Sequence, residues 1–139
     1  VGREERRLSE RAASIIDFLG LTDQRDTPVG DLPFGLQKRV ELGRALAADP
    51  TLLLLDEPAA GLNHQELSGL GAMIRGIARD MNITVLLVEH HMSLVMDVCD
   101  RIAVLNFGKR IAEGTPAAIQ SHPEVIAAYL GAPEDAATA

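Results

Sequence analysis

Four consecutive leucines, Leu52 to Leu55, run straight into Asp56-Glu57-Pro58. No other feature of the chain narrows its fold as far. So short and apolar a run reads as a strand buried on both faces, as in parallel sheets with helices on either side. Ligands of open α/β sheets sit at the carboxyl ends of the strands. Asp56 and Glu57 would stand at that edge. Asp56 there can hold Mg²⁺, directly or through water, and Glu57 can orient or deprotonate an attacking water. On these residues alone, a solvated acidic turn after a core strand accounts for the pair as well.

A second apolar run, residues 83–88, is rich in β-branched residues and ends in Glu89-His90-His91. A strand beside the first would bring His90 toward the edge that carries Glu57, where an imidazole can bond a phosphate or the acid. Residues adjacent on an extended chain point to opposite sides, so His90 and His91 do not make a zinc site between them. Histidines of a loop with no chemical duty are the plainer reading.

Apolar spacings of three and four predict a helix over residues 4–19, carried by Leu8, Ala12, Ile15, Ile16 and Leu19 and closed by Gly20. Residues 22–34 lack a period and read as a connecting loop. Further helices are predicted over 36–48, ended by Pro50, over 64–80, capped by Asn63, and over 92–99. A third strand spans 101–105, and a turn around Gly108 leads to a short strand over 110–113. Thr115 caps a helix with Pro116 in its first turn, a last helix covers 123–130 up to Gly131, and residues 132–139 read as a frayed tail. Strand, helix, strand, helix, strand is the order of a parallel sheet with right-handed crossovers.

Composition fits such a sheet and limits the function. The 139 residues make one domain of ordinary size, and 47% of them are hydrophobic with only 3% aromatic, which leaves the core to Leu, Ile, Val and Ala. Thirteen basic against 20 acidic residues give a net charge of −7, against a general nucleic-acid binder, which needs a basic stripe. Nucleotide binding stays open, because backbone amides hold phosphates without net positive charge. Cys99, the single cysteine, points to a reducing, intracellular setting. No apolar run reaches the ~20 residues of a membrane-spanning helix. The chain opens on Val1 in mid-pattern, as a piece of something longer would.

Order and spacing add what no single motif gives. Leu32-Pro33-Phe34-Gly35-Leu36-Gln37-Lys38-Arg39 is followed by Arg44-Ala45-Leu46, the leucine strand with Asp56-Glu57-Pro58, and Ala60-Gly61-Leu62-Asn63. Glu89-His90, then Asp100 to Leu105, then Glu113-Gly114-Thr115-Pro116 complete the series. From about residue 8 to 131 the chain resembles the C-terminal half of an ABC-type ATPase domain. Glu57 to Asn63 and Glu124 to Gly131 resemble the branched-chain amino-acid importer subfamily.

That resemblance implies a partial P-loop NTPase (RecA-like) α/β core with parallel strands. Residues 1–48 would be the end of the helical subdomain with the signature segment. Residues 49–114 would be the core, with the Walker B acids, the D-loop and the switch histidine, and 115–139 the C-terminal helices and tail. It makes Asp56 the Mg²⁺-binding aspartate, Glu57 the general base and His90 the contact to the γ-phosphate. Residues 60–63 become the loop that signals across a dimer, with Asn63 where the family has Asp. Leu32 to Leu36 becomes the signature segment that caps ATP held by a second ATPase subunit. The implied setting is a homo- or heterodimer under membrane permease subunits, peripheral on the cytoplasmic face, driving import of a branched-chain amino acid or related amide.

Two departures stand out. The signature usually offers a Ser hydroxyl and two glycines, whereas here Pro33, Phe34 and Gly35 stand in order. Pro33 has neither hydroxyl nor N–H. Nothing matches Gly-x-x-x-x-Gly-Lys-Ser/Thr, the loop that cradles the phosphates, and the family places it upstream of residue 1. Without it this chain alone is expected to be inactive. Two other readings remain, an ABC-fold ATPase of DNA repair or translation and a non-catalytic module retaining the fold. The resemblance also places the missing phosphate-loop strand between strands 83–88 and 101–105. The expectation is that those two close onto each other, or that a second copy fills the gap by self-association.

Overall fold

The computed structural model describes residues 2–131, and the chain divides into two compact units, Val1–Val88 and Glu89–Ala139. The first holds α1 (Arg3–Phe18), α2 (Phe34–Ala47), β1 (Leu52–Asp56), α3 (His64–Asp80) and β2 (Thr84–Val88). Single 3-10 turns at Thr22–Gln24 and Val29–Asp31 break up the connecting loop.

α1 ends as its sequence requires. Gly20 takes φ +67, its N–H donates to Asp17 O at 3.1 Å, and the Leu21 N–H reaches Ile16 O at 2.9 Å. This left-handed closure satisfies two of the last carbonyls and turns Leu19 and Leu21 into the core. Arg11 ties α1 to the end of α2, donating to Leu46 O at 3.0 Å and Asp49 Oδ1 at 2.9 Å. α2 starts two residues earlier than its apolar period indicates, so Phe34 and Gly35 lie in its first turn and not before it.

β1 and β2 pair in parallel, from Leu52 with Thr84 to Asp56 with Val88. α1, α2, α3 and the inner face of this pair share one core of Ile15, Leu19, Leu42, Leu46, Leu53, Ile77 and Ile83, with Leu55 and Val85 packed against it. The other face is bare. Leu52, Leu54, Leu86 and Val88 are 51%, 65%, 58% and 55% exposed. The expectation of burial on both faces is therefore corrected: helices cover one side only.

The second unit holds α4 (Met92–Val98), β3 (Ile102–Asn106), β4 (Lys109–Gly114), α5 (Pro116–Gln120), α6 (Pro123–Val125) and a π-helical turn, Ile126–Leu130. β3 and β4 form an antiparallel hairpin, with a register shift between Val104 and Leu105. The expected third strand is present as β3, and its pairing with β4 is antiparallel because a two-residue turn joins only antiparallel neighbours. Among the described residues β2 pairs with β1 and β3 with β4, and the expected pairing of strand 83–88 with strand 101–105 is not among these. Val95, Ile102, Val104, Ala112, Ile119 and Val125 form this unit's core. Thr115 Oγ1 accepts the Ala118 N–H at 3.3 Å and Pro116 opens α5, as the sequence predicts. The Tyr129 hydroxyl donates to Leu105 O. The tail expected over 132–139 lies outside the described residues.

Candidate active site

The ladder of β1 continues one residue past the strand. The Glu57 N–H donates to Val88 O at 2.8 Å, while Glu57 itself turns to φ +46. A non-glycine residue in this left-handed region costs on the order of 1–3 kcal/mol and persists where neighbours enforce it, often at functional sites. The chain leaves β1 at Glu57 through two tight turns, Ala60 N–H to Glu57 O and Leu62 N–H to Ala59 O, both 3.1 Å. Asp56 and Glu57 are exposed at this end, above buried Ala59. Parallel pairing brings the carboxyl ends of β1 and β2 side by side, with Asp56 opposite Val88.

The turns deliver the chain to α3 through a reciprocal cap. Asn63 Oδ1 accepts the Glu66 N–H at 2.9 Å, and Glu66 Oε2 accepts the Asn63 N–H at 2.9 Å. Sequence reasoning found the Asn63 cap and missed Glu66, although Asn63-x-x-Glu66 carried the signal.

Leu32 to Leu36 packs beside this loop within the same unit. Leu32 is buried, its carbonyl held by Gln37 Nε2 at 2.9 Å. The Leu36 and Gln37 N–H groups turn back to Pro33 O at 2.9 and 3.0 Å, so Pro33 is the N-cap although it has no capping side chain. The amides of Phe34 and Gly35 precede these bonds at the helix start, which favours an anion. Phe34 lies against Gly61, and Gly35 against the Glu66 side chain. A cleft of about 80 Å³ lies beside them, lined by Pro33, Gly35, Leu36, Leu62 and Glu66 among others.

His90 opens the second unit. Glu89 Oε2 accepts both the His90 N–H at 3.1 Å and the His91 N–H at 3.3 Å. His91 Nδ1 pairs with Ser93 Oγ at 3.1 Å, and the His90 ring is exposed. Sequence reasoning named neither Glu89's part in holding both histidine amides nor Glu66's cap. Among the described residues no three His, Cys, Asp or Glu side chains gather as a metal site. A lone carboxylate such as Asp56 suits Mg²⁺, which commonly takes one or two carboxylates and completes its shell with phosphates and water.

Residues 2–60 match the ABC transporter family, and residues 109–135 match the branched-chain amino acid ATP-binding cassette transporter family. The high-affinity branched-chain amino acid transport ATP-binding protein BraF of Pseudomonas aeruginosa is 45% identical over 129 residues, 93% of this chain and 51% of that protein. Over most of its length the chain is similar to the ATP-binding proteins of ABC transporters. Its likeness extends to LivG of Escherichia coli, another protein of that description, 43% identical over 88% of this chain and 48% of LivG. In the crystal structure of an ABC transporter's ATP-binding cassette in its ADP conformation, the family fold superposes with a TM-score of 0.79 at 32% identity. That alignment covers 91% of this chain and 51% of the other. The chain spans about half the length of the curated relatives it matches. Among the described residues no helix is long and apolar enough to cross a membrane.

Proposed function

We propose that the full-length protein is the ATP-binding and hydrolysing subunit of an ABC importer for branched-chain amino acids or related amides. The observation that carries this is Glu57, held at φ +46 at the exposed carboxyl end of β1 by its N–H bond to Val88 O. A strained, exposed acid at that edge of a parallel sheet is where a general base belongs. The names of the matched relatives supply the cargo class.

In this reading Asp56 holds the Mg²⁺ that accompanies ATP, and Glu57 takes the proton of the attacking water. His90 donates to the γ-phosphate. Residues 32–36 offer first-turn amides of α2 to ATP bound by a second ATPase subunit, and residues 60–63, with Asn63, carry the signal across that dimer. Residues 1–48 then end the helical subdomain, 49–114 belong to the RecA-like core and 115–139 to the C-terminal helices. The partners are a second ATPase subunit and the permease, on the cytoplasmic face of the membrane. The phosphate loop and its strand come from the part of the relatives that this chain does not span. Taken alone, the chain associates with copies of itself through the unpaired edge and bare leucine face of β1–β2.

Turnover by the full-length protein tests this. Glu57→Gln keeps the size and removes the base, so steady-state hydrolysis falls by about 10²–10⁴-fold while ATP still binds. Near-parental turnover in that variant refutes the assignment.

A further inference from the structure

The signature segment and the loop 60–63 have separate duties in the reading above, yet in the first unit they form one packed piece. Gly61 adopts φ +79, and a Cβ built there would lie 2.9 Å from Phe34 Cε1 and 3.3 Å from Cζ. The ring thus occupies the space a side chain at 61 would need. The packing is reciprocal, since a Cβ on Gly35 would collide with Glu66 Oε1. Glu66 is the residue whose other oxygen holds the Asn63 N–H at 2.9 Å. One turn along α2, Lys38 Nζ stands 5.4 Å from the Phe34 ring centroid and pairs with Glu41 at 3.2 Å. A cation at that distance from a ring is attracted to it, which favours the rotamer that meets Gly61.

We infer that Phe34 is a positioning residue that couples the signature segment to the loop 60–63 of the same chain. The inference rests on the ABC-ATPase reading. It gives the departure of this signature a purpose: the glycine that the family pattern places at 34 has no ring to reach Gly61. Packed interfaces shift between discrete arrangements and do not deform smoothly. A load on the start of α2 from a bound nucleotide therefore moves Gly61 and Leu62, and Asn63 follows through Glu66.

The test uses the full-length protein with Phe34→Ala and Phe34→Tyr, reading amide hydrogen exchange at Leu62 and Asn63 beside kcat and KM for ATP. Phe34→Ala should speed exchange at both amides by about tenfold, since their bonds to Ala59 O and Glu66 Oε2 then open more easily. It should lower kcat by about tenfold with KM little changed, as displaced positioning groups do. Phe34→Tyr keeps the ring and should restore both. Unchanged exchange overturns the inference, even with a fallen kcat, because Phe34 would then act on the nucleotide directly. Faster exchange with unchanged kcat overturns the coupling. A parent that hydrolyses no ATP refutes the proposed function instead, and the exchange comparison still decides whether the two segments are coupled.

Discussion

The parallel pair β1–β2 and the hairpin β3–β4 are both two-stranded, but they are written differently. Along the hairpin the pattern alternates: Ile102, Val104 and Ala112 are buried, and Ala103, Glu113 and Arg110 are exposed, the last two pairing at 2.8 Å. Such a sheet needs cover on one face only. Along β1 burial alternates too, but the outward side chains, Leu52 and Leu54 beside Leu86, are apolar like the inward ones. A strand apolar on both sides is written for cover on both sides. The pairs also end differently. The carboxyl end of β1 carries the acids, and that of β2 leads to His90; the hairpin runs into a plain turn at Phe107-Gly108.

The sharpest break between the two regions is expected in turnover. In the full-length protein His90→Ala should lower kcat by roughly 10²-fold if the imidazole stabilises charge in the transition state. Phe107→Ala, at the turn after β3, should leave kcat as it is. Equal effects in steady-state assays would erase the functional distinction between the two strand ends.

Stability gives the next contrast. Leu54 and Leu105 are similarly exposed here, 65% and 56%. With the bare leucine face covered in the full-length protein, Leu54→Ala should cost about 2–4 kcal/mol. Leu105→Ala, on a face written for solvent, should cost under about 1 kcal/mol. Urea denaturation of both variants measures the gap, and equal losses would show that the face of β1 has no cover in the whole protein.

How far the sequence reaches follows the same divide. Local signals were enough for Asn63 and the span of α3, for Thr115-Pro116 and for the Gly20 closure, because caps are written in the residues that make them. The acids at the end of β1 and their place beside β2 were legible from the two apolar runs. The hairpin was half legible: its turn at Gly108 and the strands on either side were found, but their antiparallel pairing was not drawn from them. The left-handed Glu57 had no local signal, since the bond to Val88 O that enforces it comes from 31 positions away in sequence. Contact between Phe34 and Gly61 was equally hidden. The bare face of β1 could not be read at all, because four leucines state what a strand requires and not what lies against it.

A smaller effect is expected at the cap that fixes the exit from the acid-bearing turn. Asn63→Ala removes the acceptor of the Glu66 N–H and should destabilise by about 0.5–2 kcal/mol. Thr115→Ala, the cap that follows the hairpin, should fall in the same range, and thermal melts of the two variants compare them. A negligible loss at Asn63 would mean that the capping box adds nothing to the placement of the loop.

The smallest effect should have the opposite sign. Asn106 pairs with Lys109, so the loop between β3 and β4 has two central residues, Phe107 at φ +48 and Gly108 at φ +76. Positive φ at both positions is what the right-handed twist of a hairpin asks of a two-residue loop, and Asn-Gly is the pair that meets it most easily. Gly108 does so without penalty, whereas a side chain with a Cβ in this region costs roughly 1–2 kcal/mol. Phe107 gains nothing in return, for its side chain is 99% exposed. Phe107→Asn should therefore raise stability by about 0.5–1 kcal/mol, a shift of a few degrees or less in the melting temperature of a chain of this family's length. A loss in the full-length protein would place the ring against something, and the hairpin would then resemble the parallel pair in having an apolar surface that its own unit leaves open.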